Sequence, residues 1–408
     1  MTKVVIIGAG PAGLMAAITV AEQGIQVVLI DEYMKAGGRL LGQLYEEPNG
    51  KWWNGIKESK KLYDRATSLG VDIKIGTSVS NIEKHESSWL IYTDQEVYES
   101  SHLLLATGAA EQALPIPGWT LPGVMSVGAA QVMTNVHRVK PGDHGVIIGI
   151  NVLSSAIAME LKLAGIDVAC ITLPKKNVVT DPAGNPYDVM NSLLHVAHMA
   201  PSNFVKFGSK LMKSEFLKKI GISFYPKSGV KMWDIPVMMR KAVIEINGIT
   251  EVEGVTIASI TPSGEVIPGT EEKINADFVC IAGGLYPLAE LAAVAGCPFY
   301  FIEELGGYVP LHNEQMETTI EGLYVAGNIT GIEGAKVAIS QGLTAGLSMV
   351  QSITGKDFKA KIQEACRQVE ESRHHAHIQF HPDVKTGKRK LQQYWEVHAE
   401  KVNNTVSL

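Results

Sequence analysis

Three glycines near the start of the chain have the spacing that phosphate chemistry needs. Residues 3–14, Lys-Val-Val-Ile-Ile-Gly-Ala-Gly-Pro-Ala-Gly-Leu, put Gly8, Gly10 and Gly13 in the pattern G-x-G-x-x-G. Each glycine has its own task. Gly8 permits a tight turn from strand to helix, Gly10 lets backbone N–H groups approach a pyrophosphate, and Gly13 lets the helix pack closely on the strand. Pro11 and Ala12 lie in the first turn of that helix, whose N-terminus carries unpaired N–H groups and a partial positive charge. A second strand, Gln26 to Ile30, ends in Asp31 with Glu32 beside it. A carboxylate there can accept hydrogen bonds from an adenosine ribose. Strand, glycines, helix, strand and acid arrive in the required order within one unit, so the expectation is a bound dinucleotide.

Three further stretches could serve the same ligand. Ala36 to Gln43, with Gly38, Arg39 and Gln43, has the backbone freedom of a second loop laid over a dinucleotide. A flexible surface loop has the same composition. His102 to Gly108 is an apolar strand that ends in Thr107-Gly108, at the edge where open α/β sheets bind their ligands. Leu323-Tyr-Val-Ala-Gly-Asn328 is another, and the helix that follows it opens near Gly334 and Ala335. Asn328 can hold a flavin's ribitol chain, while the helix start offers N–H groups to the negative edge of a reduced isoalloxazine ring.

The elements that must position these residues alternate strand and helix. Val4 to Ile7 is an apolar run of the kind expected of a buried parallel strand. Leu14, Ala17, Ile18 and Ala21 form the inner face of the first helix, and Gly24 stops it. Asn54 to Leu69 predicts a helix and Val71 to Ile75 a strand. Trp89 to Tyr92 and Glu96 to Tyr98 predict a short antiparallel meander. Leu114-Pro-Ile-Pro-Gly118 marks a domain boundary.

Beyond it the same plan recurs: strand Gly145 to Ile148, a helix to about Leu163, and strand Asp167 to Thr172. The repeat is altered where a nucleotide would touch it. Asn151 and Ser154 stand in the second and third glycine places, and Thr172 replaces the acid. That argues against a working nicotinamide site. Lys175 and Lys176 could meet a phosphate, although a solvated pair explains them equally. The stretch from Pro174 to Pro236 reads as irregular, with Asp181–Gly184 and Met232–Met239 between short helices, strands resume at Ala242 to Ile246 and Val252 to Ile260 around an Asn247-Gly248 hairpin signal, and Phe278 to Gly284 is another buried strand.

Composition sets the outer limits. At 408 residues, 46 % hydrophobic and 19 % charged, the chain has the length for two or three well-buried domains. A formal charge of −6 gives no general attraction to nucleic acid. Val4 to Ala21 carries no charge, but Pro11 and its glycines argue against a membrane-spanning helix. Cys170, Cys280, Cys297 and Cys366 are widely spaced, as expected of inert thiols in a cytoplasmic protein. Val337 to Gly355 predicts a core-packing helix, and past it the sequence turns polar. His374, His375, His377 and His381 read as surface histidines and no metal site is expected, while Lys385, Lys388, Arg389 and Lys390 read as a solvated or partner-facing basic run.

With Gly8–Gly13 and Asp31, Ala106-Thr-Gly108 and Tyr324–Asn328 in order, the chain resembles the flavoprotein family with two dinucleotide-binding domains that includes thioredoxin and glutathione reductases. Within it, Pro117–Met125 running into Gly128–Gln131, Leu285–Leu291, Gly296-Cys297 and Gly307–Leu311 are similar to the α-type subunits of sarcosine oxidase, opine oxidase, hydrogen cyanide synthase and dye-linked proline or hydroxyproline dehydrogenase.

The resemblance implies an α/β fold of two Rossmann-like three-layer domains, the second inserted in the first: residues 1–112 and 274–355 for FAD, 113–273 for the altered repeat, and 356–408 as a tail. It implies FAD as cofactor, a catalytic flavoprotein partner, an amine or amino-acid substrate, and any iron-sulfur cluster on a separate small subunit, because the tail holds only Cys366. The resemblance also permits two alternatives: a free-standing NAD(P)H-dependent reductase, or a scaffold subunit holding ADP or ATP. The reductases' cysteine pair is absent, which excludes their dithiol chemistry. No catalytic side chain is assigned.

Overall fold

The computed structural model describes residues 2–47, 50–196, 215–376, 380–381 and 383–406. The chain divides into two units. One comprises residues 1–43, 54–110 and 285–408; the other comprises 44–53 and 111–284.

The first unit is built on a seven-stranded sheet. Strands Asp72–Ile75, Val27–Asp31, Thr2–Ile7 and Val97–Leu105 lie side by side and parallel, and Leu323–Val325 pairs with the last of these. The expected meander is present as Val79–His85, Ser88–Thr93 and the first half of Val97–Leu105. That last strand therefore starts in the meander and ends inside the parallel sheet. Val4, Val5, Ile6 and Leu103–Leu105 are fully buried, as strands covered on both faces must be. Helices Pro11–Ala21 and Ala335–Thr354 cover one face, and Trp89, fully buried, anchors the core of the other.

The second unit carries an eight-stranded sheet. Its order is Val124–Ser126, Phe278–Ile281, His144–Ile148, Asp167–Pro174, Ile235–Asn247, Gly254–Ser259 and Glu272–Asn275, with Val230–Met232 beside Ile235–Asn247. The repeat read from the sequence is there: strand His144–Ile148, helix Val152–Leu163, strand Asp167–Pro174.

Three expectations need correction. The first domain does not resume at residue 274, because Phe278–Ile281 pairs with Val124–Ser126 and with His144–Ile148 in the second sheet. An apolar run carries no local sign of which sheet it joins. The stretch before Pro236 is not wholly irregular, since Val230–Met232 and Ile235–Asn247 form an antiparallel ribbon. Its two turn residues, Trp233 and Asp234, both have positive φ, at 50° and 63°. Such a turn normally advertises itself with Asn or Gly.

Residues 356–408 are also more than a tail. Helix Lys359–His374 buries Ile362, Ala365, Val369 and Arg373, and helix Val384–Val406 buries Val384 and Leu391. His374 and His375 are exposed and His381 is half-buried, while His377 lies outside the described residues. Among the described residues no three His, Cys, Asp or Glu side chains gather as metal ligands.

Candidate flavin-binding site

Strand register brings the three glycine-bearing strand ends together. Ile7 is level with Leu105, and Leu105 with Val325. The residues that follow, Gly8, Ala106 and Ala326, therefore leave the sheet at one edge. Hydrogen bonds hold them there: Ala106 N–H donates to Ile7 O at 2.7 Å, Ala326 N–H to Leu105 O at 3.1 Å, and Gly8 N–H to Ile30 O at 2.7 Å.

The first turn has the shape its glycines imply. Gly8 has φ +105°, and a Cβ there would sit 2.3 Å from Ala106 O. A Cβ on Gly13 would lie 1.9 Å from Gly8 O, so helix and strand approach as closely as backbone allows. Gly10 differs: a Cβ there meets none of the described atoms within 4 Å. Space is open on the side where a phosphate would approach. Gly10 caps helix Pro11–Ala21 with no side-chain hydrogen bond, so its first N–H groups face outward. Asp31 accepts from Ala9 N–H at 2.6 Å and from Tyr33 N–H at 2.8 Å, and Glu32 next to it is exposed. Burial raises the Asp31 pKa above its ordinary value against the pull of both N–H groups, and the Glu32 charge adds to the rise.

The second glycine loop does lie over the first. Gly37 N–H donates to Ala9 O at 2.7 Å, and a Cβ on Gly38 would be 3.2 Å from Gly10 Cα. Arg39 Nε donates to Ala109 O at 3.0 Å, tying the loop to the turn after Gly108. Gln43 ends the loop, its carbonyl accepting from Gly55 N–H at 2.8 Å. Thr107 Oγ1 donates to Leu288 O at 2.6 Å and Gly108 O accepts from Leu288 N–H at 3.0 Å, which fixes that strand end.

The third strand end closes on the first. A Cβ on Gly327 would be 3.0 Å from Ala12 Cβ, and Gly327 N–H donates to the buried Gln341 Oε1 at 2.8 Å. Asn328 Oδ1 accepts from Glu333 N–H at 3.2 Å, and its Nδ2 provides a donor. Gly334 caps helix Ala335–Thr354 without a side-chain bond, so a second set of helix N–H groups opens at the same edge.

Behind this loop lies a charged cluster that sequence reasoning missed. Glu333, 8 % exposed, accepts from Arg373 Nε at 2.6 Å and from a terminal guanidinium nitrogen at 3.0 Å. Lys388 Nζ donates to Thr330 O at 2.8 Å and stands 3.8 Å from Glu333 Oε2. Lys388 is 17 % exposed at its side chain, so its place in a solvated basic run is corrected. Burial lowers its pKa to about 8, while burial and the same ammonium lower His312 to about 3, leaving that imidazole neutral. Burial opposes the Arg373 charge, but Glu333 and Glu370 outweigh it. A faint sequence signal existed, since Phe358, Ile362, Ala365 and Val369 keep helical spacing along a polar segment.

The matching turn of the second unit is shaped alike and filled. Gly149 has φ +110°, and a Cβ there would sit 2.2 Å from Ala282 O. Asn151 Oδ1 then accepts from Ser154 N–H at 2.9 Å, Ser154 Oγ accepts from Asn151 N–H at 2.9 Å, and Asn151 Nδ2 donates to Ala282 O at 2.9 Å. This reciprocal cap consumes the N–H groups that a pyrophosphate would need. Thr172 is buried and donates to Lys241 O at 2.8 Å. Nearby, Glu160 accepts from Gln131 at 2.8 Å, Asn135 at 2.7 Å and Leu44 N–H at 3.2 Å. Burial nevertheless raises its carboxyl to about 7.

The thiols are poor nucleophiles. Burial pushes Cys170 up to about 12 and Cys297 and Cys366 to about 11.

Residues 2–342 match the pyridine nucleotide-disulphide oxidoreductase family, and the chain belongs to it. It is an FAD-dependent oxidoreductase. An opine oxidase subunit from Rhizobium meliloti is 28 % identical over 373 residues, covering 86 % of this chain and 71 % of that protein. Hydrogen cyanide synthase subunit HcnB of Pseudomonas protegens is 25 % identical over 362 residues, covering 85 % and 70 %. Two solved structures share the fold. L-proline dehydrogenase from P. horikoshii has a TM-score of 0.62 at 20 % identity, over 89 % of this chain and 58 % of that one. T. acidophilum thioredoxin reductase has a TM-score of 0.61 at 22 % identity, over 86 % and 98 %. No described helix is long and apolar enough to cross a membrane.

Proposed function

We propose that this chain is the FAD-carrying α-type subunit of a multi-subunit amine or amino-acid dehydrogenase acting on a proline-, hydroxyproline-, sarcosine- or opine-like substrate. One observation carries the reading: within one chain, the first glycine turn is open while the second is closed by Asn151 and Ser154. A self-sufficient NAD(P)H reductase needs both open. The similar proteins named as subunits support a complex, and the uncombined, high-pKa thiols favour a reducing cytoplasm.

In this reading the Gly8–Gly13 turn and its helix start hold the pyrophosphate, Asp31 takes the adenosine ribose, and Asn328 takes the ribitol chain. The N–H groups at Gly334 and Ala335 face the flavin ring. Gly38, Arg39, Gln43, Thr107 and Gly108 close the loops around it. Bound FAD supplies hydride and electron transfer; the chain supplies placement and electrostatics. The partner subunit brings the substrate, and an acceptor outside this chain, such as a small iron-sulfur subunit, takes the electrons.

The purified protein is expected to be yellow, to release FAD on denaturation, and to keep its spectrum under NADH or NADPH without air. Reduction by a secondary amine should require the co-expressed partner. Rapid bleaching by either nicotinamide would establish the self-sufficient reductase instead. A colourless protein that releases ADP or ATP would establish a scaffold.

A further inference from the structure

The cluster behind the flavin-facing loop joins segments far apart in sequence. Arg373 and Lys388 come from the two C-terminal helices, and both act on the turn from Asn328 to Ala335. Glu333 grips the Arg373 guanidinium with both oxygens, its own N–H donates to Asn328 Oδ1, and its neighbour Gly334 starts the helix. Lys388 holds Thr330 at its carbonyl and reaches its hydroxyl at 3.2 Å. Gln341, 1 % exposed, spans Gly327 N–H and Thr330.

The charges balance in number but not in burial. Two cations face one buried carboxylate, and the second carboxylate on Arg373, that of Glu370, is 66 % exposed and screened by solvent. His312 is neutral and Gln341 uncharged, so neither offsets the excess.

We propose that Arg373 and Lys388 are positioning residues for the flavin: through Glu333 and Thr330 they fix the Asn328–Ala335 turn, and their surplus positive charge favours the reduced flavin over the oxidised one. The inference rests on the FAD reading above. A polar C-terminal segment then has a reason to withdraw two cations from water: it adds a charged brace to a loop that Gln341 and Asn328 already hold.

The test uses the full chain and FAD as the probe. Lys388→Met should weaken FAD binding about tenfold and make the reduced form about tenfold less favoured, a fall of about 30 mV for a two-electron couple. Lys388→Arg, which keeps the charge and a donor, should recover most of the potential. Glu370→Gln touches only an exposed side chain and tests the charge balance apart from packing; it should raise the potential by a smaller amount, about twofold in the same ratio. Unchanged FAD affinity and potential in Lys388→Met overturn the inference. So does an unfolded Lys388→Met together with an unmoved potential in Glu370→Gln. A wild-type protein that takes up no FAD overturns the proposed function and this inference with it; FAD uptake with unmoved variants overturns the inference alone.

Discussion

The turns at Gly8–Gly13 and Gly149–Ser154 share a backbone and differ in what they can receive. In each, a glycine at φ +105° or +110° passes a neighbouring strand's carbonyl at a distance no side chain tolerates. In the first, the next positions stay bare and the helix N–H groups face outward. In the second, two side chains fold back and satisfy those groups internally. A fold and a binding capacity are thus encoded by different residues of one motif. The first glycine builds the turn, and the residues at the second and third places leave the helix N–H groups open or cap them.

The sharpest way to break this comparison is Gly10→Val. A Cβ there meets none of the described atoms within 4 Å, so the apoprotein should melt within a degree or two of the parent, while FAD affinity falls about 1,000-fold, or about 4 kcal/mol. Equal loss of stability and of FAD would mean that Gly10 is structural.

Next come two pH effects of opposite sign, one in each unit. His312 has a folded pKa of about 3 against an ordinary 6.5, so the unfolded chain binds the extra proton between those values. Stability contributed by the neutral form is whole above 6.5 and is lost as pH falls toward 3, of order 5 kcal/mol. Glu160, raised to about 7 from 4.5, behaves inversely: its contribution is whole below 4.5 and is lost as pH rises to 7, of order 3 kcal/mol. Denaturant melts of the apoprotein from pH 4 to 7.5 should show His312→Gln flattening the acid loss and Glu160→Gln flattening the opposing trend. A parent-like profile in either variant removes that assignment.

The smallest effect probes the filled turn. Asn151→Gly removes the cap and should cost about 1 kcal/mol in melts. Flavin bleaching by NADH should stay absent, because Ser154 Oγ still accepts from the backbone N–H at position 151. Bleaching after this one change would mean that a single side chain closes the second site.

Much of this was legible because it is local. Strand, glycine turn, helix and acid follow one another within residues 2–31, and the altered second copy was visible at Asn151, Ser154 and Thr172. The Trp233-Asp234 turn was not, since a bulky Trp rarely takes positive φ. The address of Phe278–Ile281 was not, since its apolar face fits either sheet.

The sequence alone determined which turn is left bare and which strand ends carry glycine, because backbone clearance depends on side chains present or missing at fixed positions. Tertiary structure decided that three such ends share one edge, through the register of Ile7, Leu105 and Val325. It also decided that Arg373 is buried and Lys388 largely so, because the carboxylate they share, Glu333, lies 40 residues before Arg373, and no local pattern reports a partner so distant.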